Sequence, residues 1–417
     1  MTPEIKNRID QIRRGERPEG YIRDRKVLIP DGWEYCPIKD VAIVSSGSTP
    51  ARNNLEYWNG NVPWVTTGEL ESGHVFSTIE SVSKQAVENL NLTVYPKGTL
   101  LMAMYGQGKT RGTVAMLGID ATVNQACAAI APKRGEAKFL FFQLQNAYED
   151  IRKLSNTGNQ ENLNANIVKT FHILWAPDAE QQKIAAILTT QDKIIELKEK
   201  LIAEKQRQKK HLMQQLLMGR KRLPGESGAR KTERLGELFL NRVETKREDL
   251  QLLAITGTRG VVPRSELDLK DNSSEDKSKY LRICVGDIGY NTMRMWQGVS
   301  AYSTYEGIVS PAYTILEPAN PINAKYFAYL FKMPEIVSLF YRFSQGLVDD
   351  TRNLKYENFK KIRVTYPENL SEQNAIVKIL ETADQEITLL QQSLEQEKQK
   401  KKALMQLLLT GIVRVSL

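Results

Sequence analysis

Cysteine is scarce and scattered: Cys36, Cys127 and Cys284 are the only three in 417 residues, and no two share a CxxC spacing. That pattern excludes a disulfide framework and a zinc knuckle, and each thiol is expected to be a small buried hydrophobe in a reducing compartment. Histidine is as sparse. His74, His172 and His211 share no metal-ligand spacing, so no metal site is expected. Long apolar runs are missing too. The longest, such as TLLMAM at residues 99–104, are strand-sized and too short to span a bilayer. The charged N-terminus, MTPEIKNRIDQIRRGERPEG, lacks the apolar segment of a secretory signal. A soluble, cytoplasmic protein without a membrane partner is the expectation. Catalytic patterns are equally thin. There is no Asn-Pro-Pro-aromatic motif for amino methylation. Pro177-Asp178 followed by Glu196-Leu197-Lys198 superficially looks like a nuclease signature, yet all five fall on one continuous predicted helix. Nothing in the residues argues for an enzyme.

What is present is length, positive charge and a repeat. A chain of 417 residues exceeds one ordinary core, so two or three domains are expected. A net charge of +9 favours an acidic partner. Residues 180–223 align without a gap on residues 372–415, at an offset of 192, with 18 of 44 positions identical. Glu180-Gln181 matches Glu372-Gln373, Asp192 matches Asp384, Leu212-Met213-Gln214 matches Leu404-Met405-Gln406, and Gly219 matches Gly411. That is a duplication. Apolar residues recur in both copies at three- and four-residue steps, with Pro177 and Pro367 ahead and Gly219 and Gly411 behind, so each copy reads as one long helix. Forty helical residues extend roughly 60 Å. A helix that long needs a partner, and its own copy is the obvious one. The expected packing residues are Ile187, Leu188, Ile195, Leu201, Leu212 and Leu216 in one, and Ile379, Leu380, Ile387, Leu394, Leu404 and Leu408 in the other. Midway, Lys205, Arg207, Lys209 and Lys210, and Lys398, Lys400, Lys401 and Lys402, interrupt the stripe. They are read either as a solvated face or as contacts with DNA phosphates or an acidic partner.

The segments ahead of the helices are related more weakly. Residues 104–132 and 290–318 share an offset of 186, and an Asn-Leu pair (Asn162-Leu163, Asn353-Leu354) precedes each helix. Residues 103–110, AMYGQGKT, fit a relaxed phosphate-loop pattern. A true phosphate loop opens a helix, whereas the following residues 111–119 read as a second strand, so the stretch is read as a Gly-rich hairpin. Its tip offers Tyr105, Gln107, Lys109, Thr110 and Arg111 for base and phosphate contacts. The corresponding tip of the second half offers Asn291, Thr292, Arg294, Trp296 and Gln297; the alternative there is a surface loop with one buried Trp. Arg342, Gln345 and Arg352 supply a second polar cluster, with Asn159 and Gln160 as its counterpart.

These residues resemble the specificity subunit of type I restriction–modification enzymes. Residues 47–70, GSTPARNNLEYWNGNVPWVTTGEL, are similar to the opening of that family's target-recognition domain; MYGQGKTRGTVA (104–115) and TVNQACAAI (122–130) are similar to its later blocks. EQQKIAAIL (180–188) and LMQQLLMG (212–219) resemble its central spacer, and their copies its distal one. The second opening, residues 234–256, lacks the GSTP and PWV blocks. The resemblance implies a DNA-binding chain reading a two-part double-stranded target, assembled with two methyltransferase subunits and, for cleavage, ATP-dependent restriction subunits. S-adenosylmethionine, ATP and Mg would sit on those partners, with no cofactor on this chain. The expected fold is α+β: an N-terminal arm (1–32), a first recognition domain (33–176), a central spacer helix (177–223), a second recognition domain (224–366) and a distal spacer helix (367–417). The helices should pack as an antiparallel coiled coil, giving pseudo-two-fold symmetry. Two rivals remain, a stand-alone enzyme carrying its own reader and a coiled-coil scaffold binding only proteins.

Overall fold

Both long helices form where the apolar periodicity places them, at Asp178–Leu217 and Leu370–Leu408, in a computed structural model that describes residues 2–24, 27–106, 108–154, 162–225, 228–257, 259–267 and 276–415. The first starts on the Pro177 carbonyl, which accepts from the Glu180 and Gln181 amides. The second starts on Asn369, whose carbonyl accepts from Gln373 and whose side chain caps the Ser371 amide. Both stop identically. Gly219 and Gly411 adopt left-handed backbone (φ 69° and 67°), and the amides of Lys221 and Val413 turn back onto the carbonyls of Gln215 and Leu407.

The chain divides into two compact units, Met1–Lys198 with Ser393–Leu417, and Glu199–Gln392. In the first unit, Ala42–Ser46, Cys127–Pro132, Leu100–Ala103 and Val114–Leu117 lie side by side as antiparallel neighbours in that order, and His74–Val75 adds a fifth strand in parallel. In the second, Phe239–Arg242, Tyr313–Pro318, Ile288–Asn291 and Ser300–Tyr302 repeat that order antiparallel, without the fifth strand. Each unit also has an antiparallel pair leading to its long helix, Glu34–Pro37 with His172–Trp175 and Arg230–Arg234 with Arg363–Pro367. One α+β scaffold is therefore built twice.

The long helices enter both cores. Ile184, Ala185 and Leu188 share the first core with Met405, Leu408 and Leu409, around Trp33, Phe139, Phe142 and Trp175. Leu216 and Leu217 share the second with Ile376, Val377 and Leu380, around Phe239, Phe327 and Phe331. Each large aliphatic side chain so buried contributes roughly 1.5–3 kcal/mol. The repeated Glu-Gln pair has a physical reason. Gln181 donates to the Ala176 carbonyl (2.7 Å) and accepts from the Glu136 amide (2.8 Å). Gln373 likewise donates to Pro367 (2.8 Å) and accepts from Asn323 (2.9 Å). Glu136 and Asn323 are the N-caps of helices Ala137–Asn146 and Ala324–Leu330, so each glutamine ties a long helix to its own reader. The adjacent glutamates are buried and meet an arginine from beyond the end of the other long helix, Arg414 on Glu180 and Arg222 on Glu372.

Within each unit, stretches of the two long helices run antiparallel. In the first, Lys401 meets Asp192 (2.6 Å) and Lys198 meets Glu397 (3.5 Å); in the second, Lys209 meets Asp384 (2.5 Å) and Lys205 meets Glu386 (2.6 Å). Of the expected packing residues, Leu188, Leu216, Leu380, Ile387 and Leu408 are buried, while Ile195, Leu212, Ile379, Leu394 and Leu404 are half-buried. Ile187 and Leu201 depart from the expectation and are exposed at 40% and 42%. Apolar spacing alone places them on the seam, but part of that seam is polar: the Gln191 amide, buried, donates to the Glu397 carboxylate, and Lys198 bonds Ser393. Three of the eight mid-helix basic residues fit neither reading of that run: Lys205, Lys209 and Lys401 are engaged by carboxylates of the other helix, while Arg207 and Lys400 pair with glutamates of their own.

Candidate nucleic-acid interface

The stretch with the relaxed phosphate-loop pattern is a hairpin. Leu100–Ala103 pairs antiparallel with Val114–Leu117, and no helix follows the glycines. Strand ladders satisfy the stem, but the carbonyls of the tip need other donors. A short helix, Tyr148–Lys153, supplies them. The Arg152 guanidinium donates to the carbonyls of Arg111 (2.5 Å) and Gly108 (2.9 Å), and the Tyr148 hydroxyl donates to that of Lys109 (2.6 Å). Gly112 makes this approach possible. It sits at φ 84°, and a Cβ there would lie 3.1 Å from Arg152 Cγ and 3.5 Å from the Tyr148 ring.

The tip presents Tyr105 and Lys109 to solvent, with Thr110 half-buried. Arg111, expected to be a base reader, is 8% exposed, so its side chain is turned into the fold. Arg111 and Gly112 form the turn just ahead of the return strand Val114–Leu117, and both are buried there. Gln107, Asn159 and Gln160 lie outside the described residues.

The second tip is built differently on the equivalent strand pair. Thr292 donates from both its amide (3.1 Å) and its hydroxyl (2.9 Å) to the Ala312 carbonyl, and the Asn291 side chain caps the Met293 amide (2.9 Å). One helical turn, Met295–Gln297, ends at Gly298 with φ 77°. Lys332, between helices Ala324–Leu330 and Pro334–Phe343, donates to the carbonyls of Gly298 (2.7 Å) and Ser300 (2.5 Å). Burial pushes its amine down to about 8.

The structure joins the two polar clusters of this half. Trp296 meets Tyr341 edge-on at 6.1 Å, and the Arg352 guanidinium lies 4.0 Å from the Tyr341 ring centre. Arg352 also donates to the Tyr341 hydroxyl (3.1 Å) and pairs with Asp349 (3.3 Å). The Leu354 amide bonds the Thr292 carbonyl, tying the loop after helix Pro334–Phe343 to the tip. Arg294, Gln297, Arg342 and Gln345 are exposed; Asn291, Thr292, Trp296 and Arg352 are half-buried. Sequence reasoning missed Tyr148, Arg152, Lys332 and Tyr341. No local signal marks them, because each acts on residues tens of positions away.

Chemically, the described residues of both tips carry cations, amides, hydroxyls and aromatic rings, the equipment that reads base edges and holds phosphates. Among the described residues, no three His, Cys, Asp or Glu side chains come together to hold a metal ion, and no helix is long and apolar enough to cross a membrane.

The comparisons with known proteins agree with this geometry. The family model described as "Type I restriction modification DNA specificity domain" matches residues 30–206 and again 268–399. The chain is 32% identical over 178 residues to the type I restriction enzyme MjaIX specificity subunit of Methanocaldococcus jannaschii, covering 41% of this chain and 40% of that one. It is 22% identical over 174 residues to the EcoR124I/EcoR124II specificity subunit of Escherichia coli, covering 40% of this chain and 43% of that one. The matched segments thus span less than half the length of either relative. In fold, it is similar to the S subunit of the type I restriction–modification system from M. genitalium, with a TM-score of 0.55 at 16% identity over 90% of this chain and 96% of that one. A second solved structure, from work on complex assembly and conformational transition of the type I R-M system, gives a TM-score of 0.59 at 16% identity over 92% and 99%. With two separate stretches of the family model matched along most of its length, the chain belongs to the type I restriction–modification DNA specificity family.

Proposed function

We propose that this chain is the non-catalytic DNA-reading subunit of a type I restriction–modification complex. Its two recognition domains, residues 33–176 and 224–366, each read one half of a bipartite double-stranded target. The observation that carries this reading is the duplication itself: one four-stranded scaffold and one Gln–Arg–Glu attachment occur twice, while the tips they present differ in sequence and in build. A shared strand order with unlike tips suits two half-sites of unlike sequence. In this reading the chain also scaffolds two methyltransferase subunits and the restriction subunits. Those partners hold S-adenosylmethionine, ATP and Mg, and the complex works in the cytoplasm. The reading surfaces are Tyr105, Lys109 and Thr110, with Gln107, Asn159 and Gln160, in the first domain. In the second they are Asn291, Thr292, Arg294, Trp296, Gln297, Arg342, Gln345 and Arg352.

Two substitutions test the assignment, measured as affinity of the methyltransferase-bound chain for duplexes with either half-site scrambled. Arg294→Ala should cost about 1–3 kcal/mol at one base position of the second half-site if the guanidinium grips a guanine through two hydrogen bonds. Lys109→Ala should weaken all sequences about equally and lower the salt slope by about 1 if its ammonium holds a phosphate. Unchanged binding in both variants would remove the tips from the interface.

A further inference from the structure

The two tips share one constructional feature that the repeat does not dictate. Each has main-chain carbonyls bonded by a single cation from later in the same unit: Arg152, on the short helix Tyr148–Lys153, on Arg111 and Gly108, and Lys332, in the turn between helices Ala324–Leu330 and Pro334–Phe343, on Gly298 and Ser300. The two cations are not equivalent in the repeat. They stand 180 residues apart, whereas the matching segments of the two halves are offset by 186 and 192. They also differ in type, arginine against lysine, and in setting, one on a short helix and the other in a turn between two helices. Two unrelated solutions to one problem argue that the problem matters.

A hairpin tip crowded with glycine samples many backbone states, and binding DNA would have to select one of them. A loop already ordered in its bound conformation loses less entropy on binding. Charge-assisted hydrogen bonds are the strong ones available for this, and a guanidinium can span two carbonyls at fixed geometry. The glycines permit the approach. Gly112 leaves room for the Arg152 stem, and Gly298 lets the chain turn where a Cβ would lie 3.0 Å from Val337 Cγ2. On the first tip Tyr148 adds a third bond, to the Lys109 carbonyl, and its ring lies 5.1 Å from the Arg152 guanidinium. On the second, the half-buried Lys332 amine has the Gly298 and Ser300 carbonyls as hydrogen-bond acceptors.

We propose that Arg152 and Lys332 are positioning residues that fix the conformation of the two DNA-reading tips, each governing the affinity of one half-site without touching DNA. This rests on the reading of the tips given above. The test uses the chain assembled with its methyltransferase subunits and three duplexes: the intact target, established by methylome sequencing, and versions with the first or the second half-site scrambled. Lys332→Met should lower affinity about ten-fold for every duplex with an intact second half-site, since binding must then supply the ordering that its two hydrogen bonds gave. It should change nothing where that half-site is already scrambled. Arg152→Met should show the mirror-image pattern, and Arg152→Lys, which reaches one carbonyl at a time, should recover part of the loss. Assembly should be kept and the thermal midpoint should fall by only about 2–4 °C, whereas a merely structural role would weaken binding to all three duplexes alike. Loss on all three would overturn the proposal. So would unchanged binding in these variants while Lys109→Ala and Arg294→Ala weaken it. If the tip substitutions are also silent, the assignment of the tips as readers falls with it.

Discussion

Exchanging residues 33–176 for the matching segment of a relative with a different target should replace one half of the methylated sequence and leave the other half intact. This is the largest effect expected, because it is a change of identity and not of degree. The structure supplies the reason. The exchanged segment carries the first sheet, its tip and the Arg152–Tyr148 brace, while its attachment runs through contacts that both halves share. Gln181 meets the Glu136 amide through a main-chain bond, which any relative with a helix start there can offer. Methylome sequencing reads the outcome. A simultaneous change in both halves would contradict independent readers, and an unchanged motif would place specificity outside this segment.

Arg222→Ala should destabilise the second unit by about 3 kcal/mol, the cost of leaving a buried carboxylate without its partner. Glu372 has a side chain 1% exposed, and Arg222 meets both of its oxygens, at 2.8 and 2.7 Å, while also holding the Gly228 carbonyl. Arg414→Ala should do the same to the first unit, where Arg414 pairs with Glu180, bonds the Asp31 carbonyl and lies over Trp33. The diagnostic comparison is the double variant Arg222→Met with Glu372→Leu. Removing both charges and refilling the space should recover most of the loss, because the penalty comes from the stranded charge. Denaturant unfolding of the single and double variants measures this. A double variant as unstable as Arg222→Ala would show that packing around the pair, and not its charge, is what holds the helix ends.

The long helices were legible because duplication writes the same pattern twice: Gly219 and Gly411, Glu180-Gln181 and Glu372-Gln373 stand at one offset. Why the Glu-Gln pair is kept was not legible. Its partners, Glu136 and Arg414 or Asn323 and Arg222, are 45 to 234 residues away. The hairpin was readable from glycines between two apolar runs, yet its inner and outer sides were not. Strand alternation says nothing about a residue in the turn, so Arg111 looked as available as Lys109 and proved buried. Ile187 and Leu201 failed for a related reason. Apolar periodicity finds a helix face but does not register that Gln191, Glu397 and Lys198 occupy part of the seam. The tip braces left no trace in the sequence at all, since a lone arginine on a short helix or a lone lysine in a turn ordinarily reads as a solvated charge.

One chain with two readers would dictate a two-part target for a methyltransferase carried by its partner subunits. The most direct measurement is long-read methylome sequencing of a host, free of type I systems, that expresses this chain together with methyltransferase subunits. The expected result is one methylated motif made of two defined blocks separated by a fixed number of unread bases, absent when either component is omitted. A continuous motif, methylation by the methyltransferase alone, or methylation by this chain alone would contradict it.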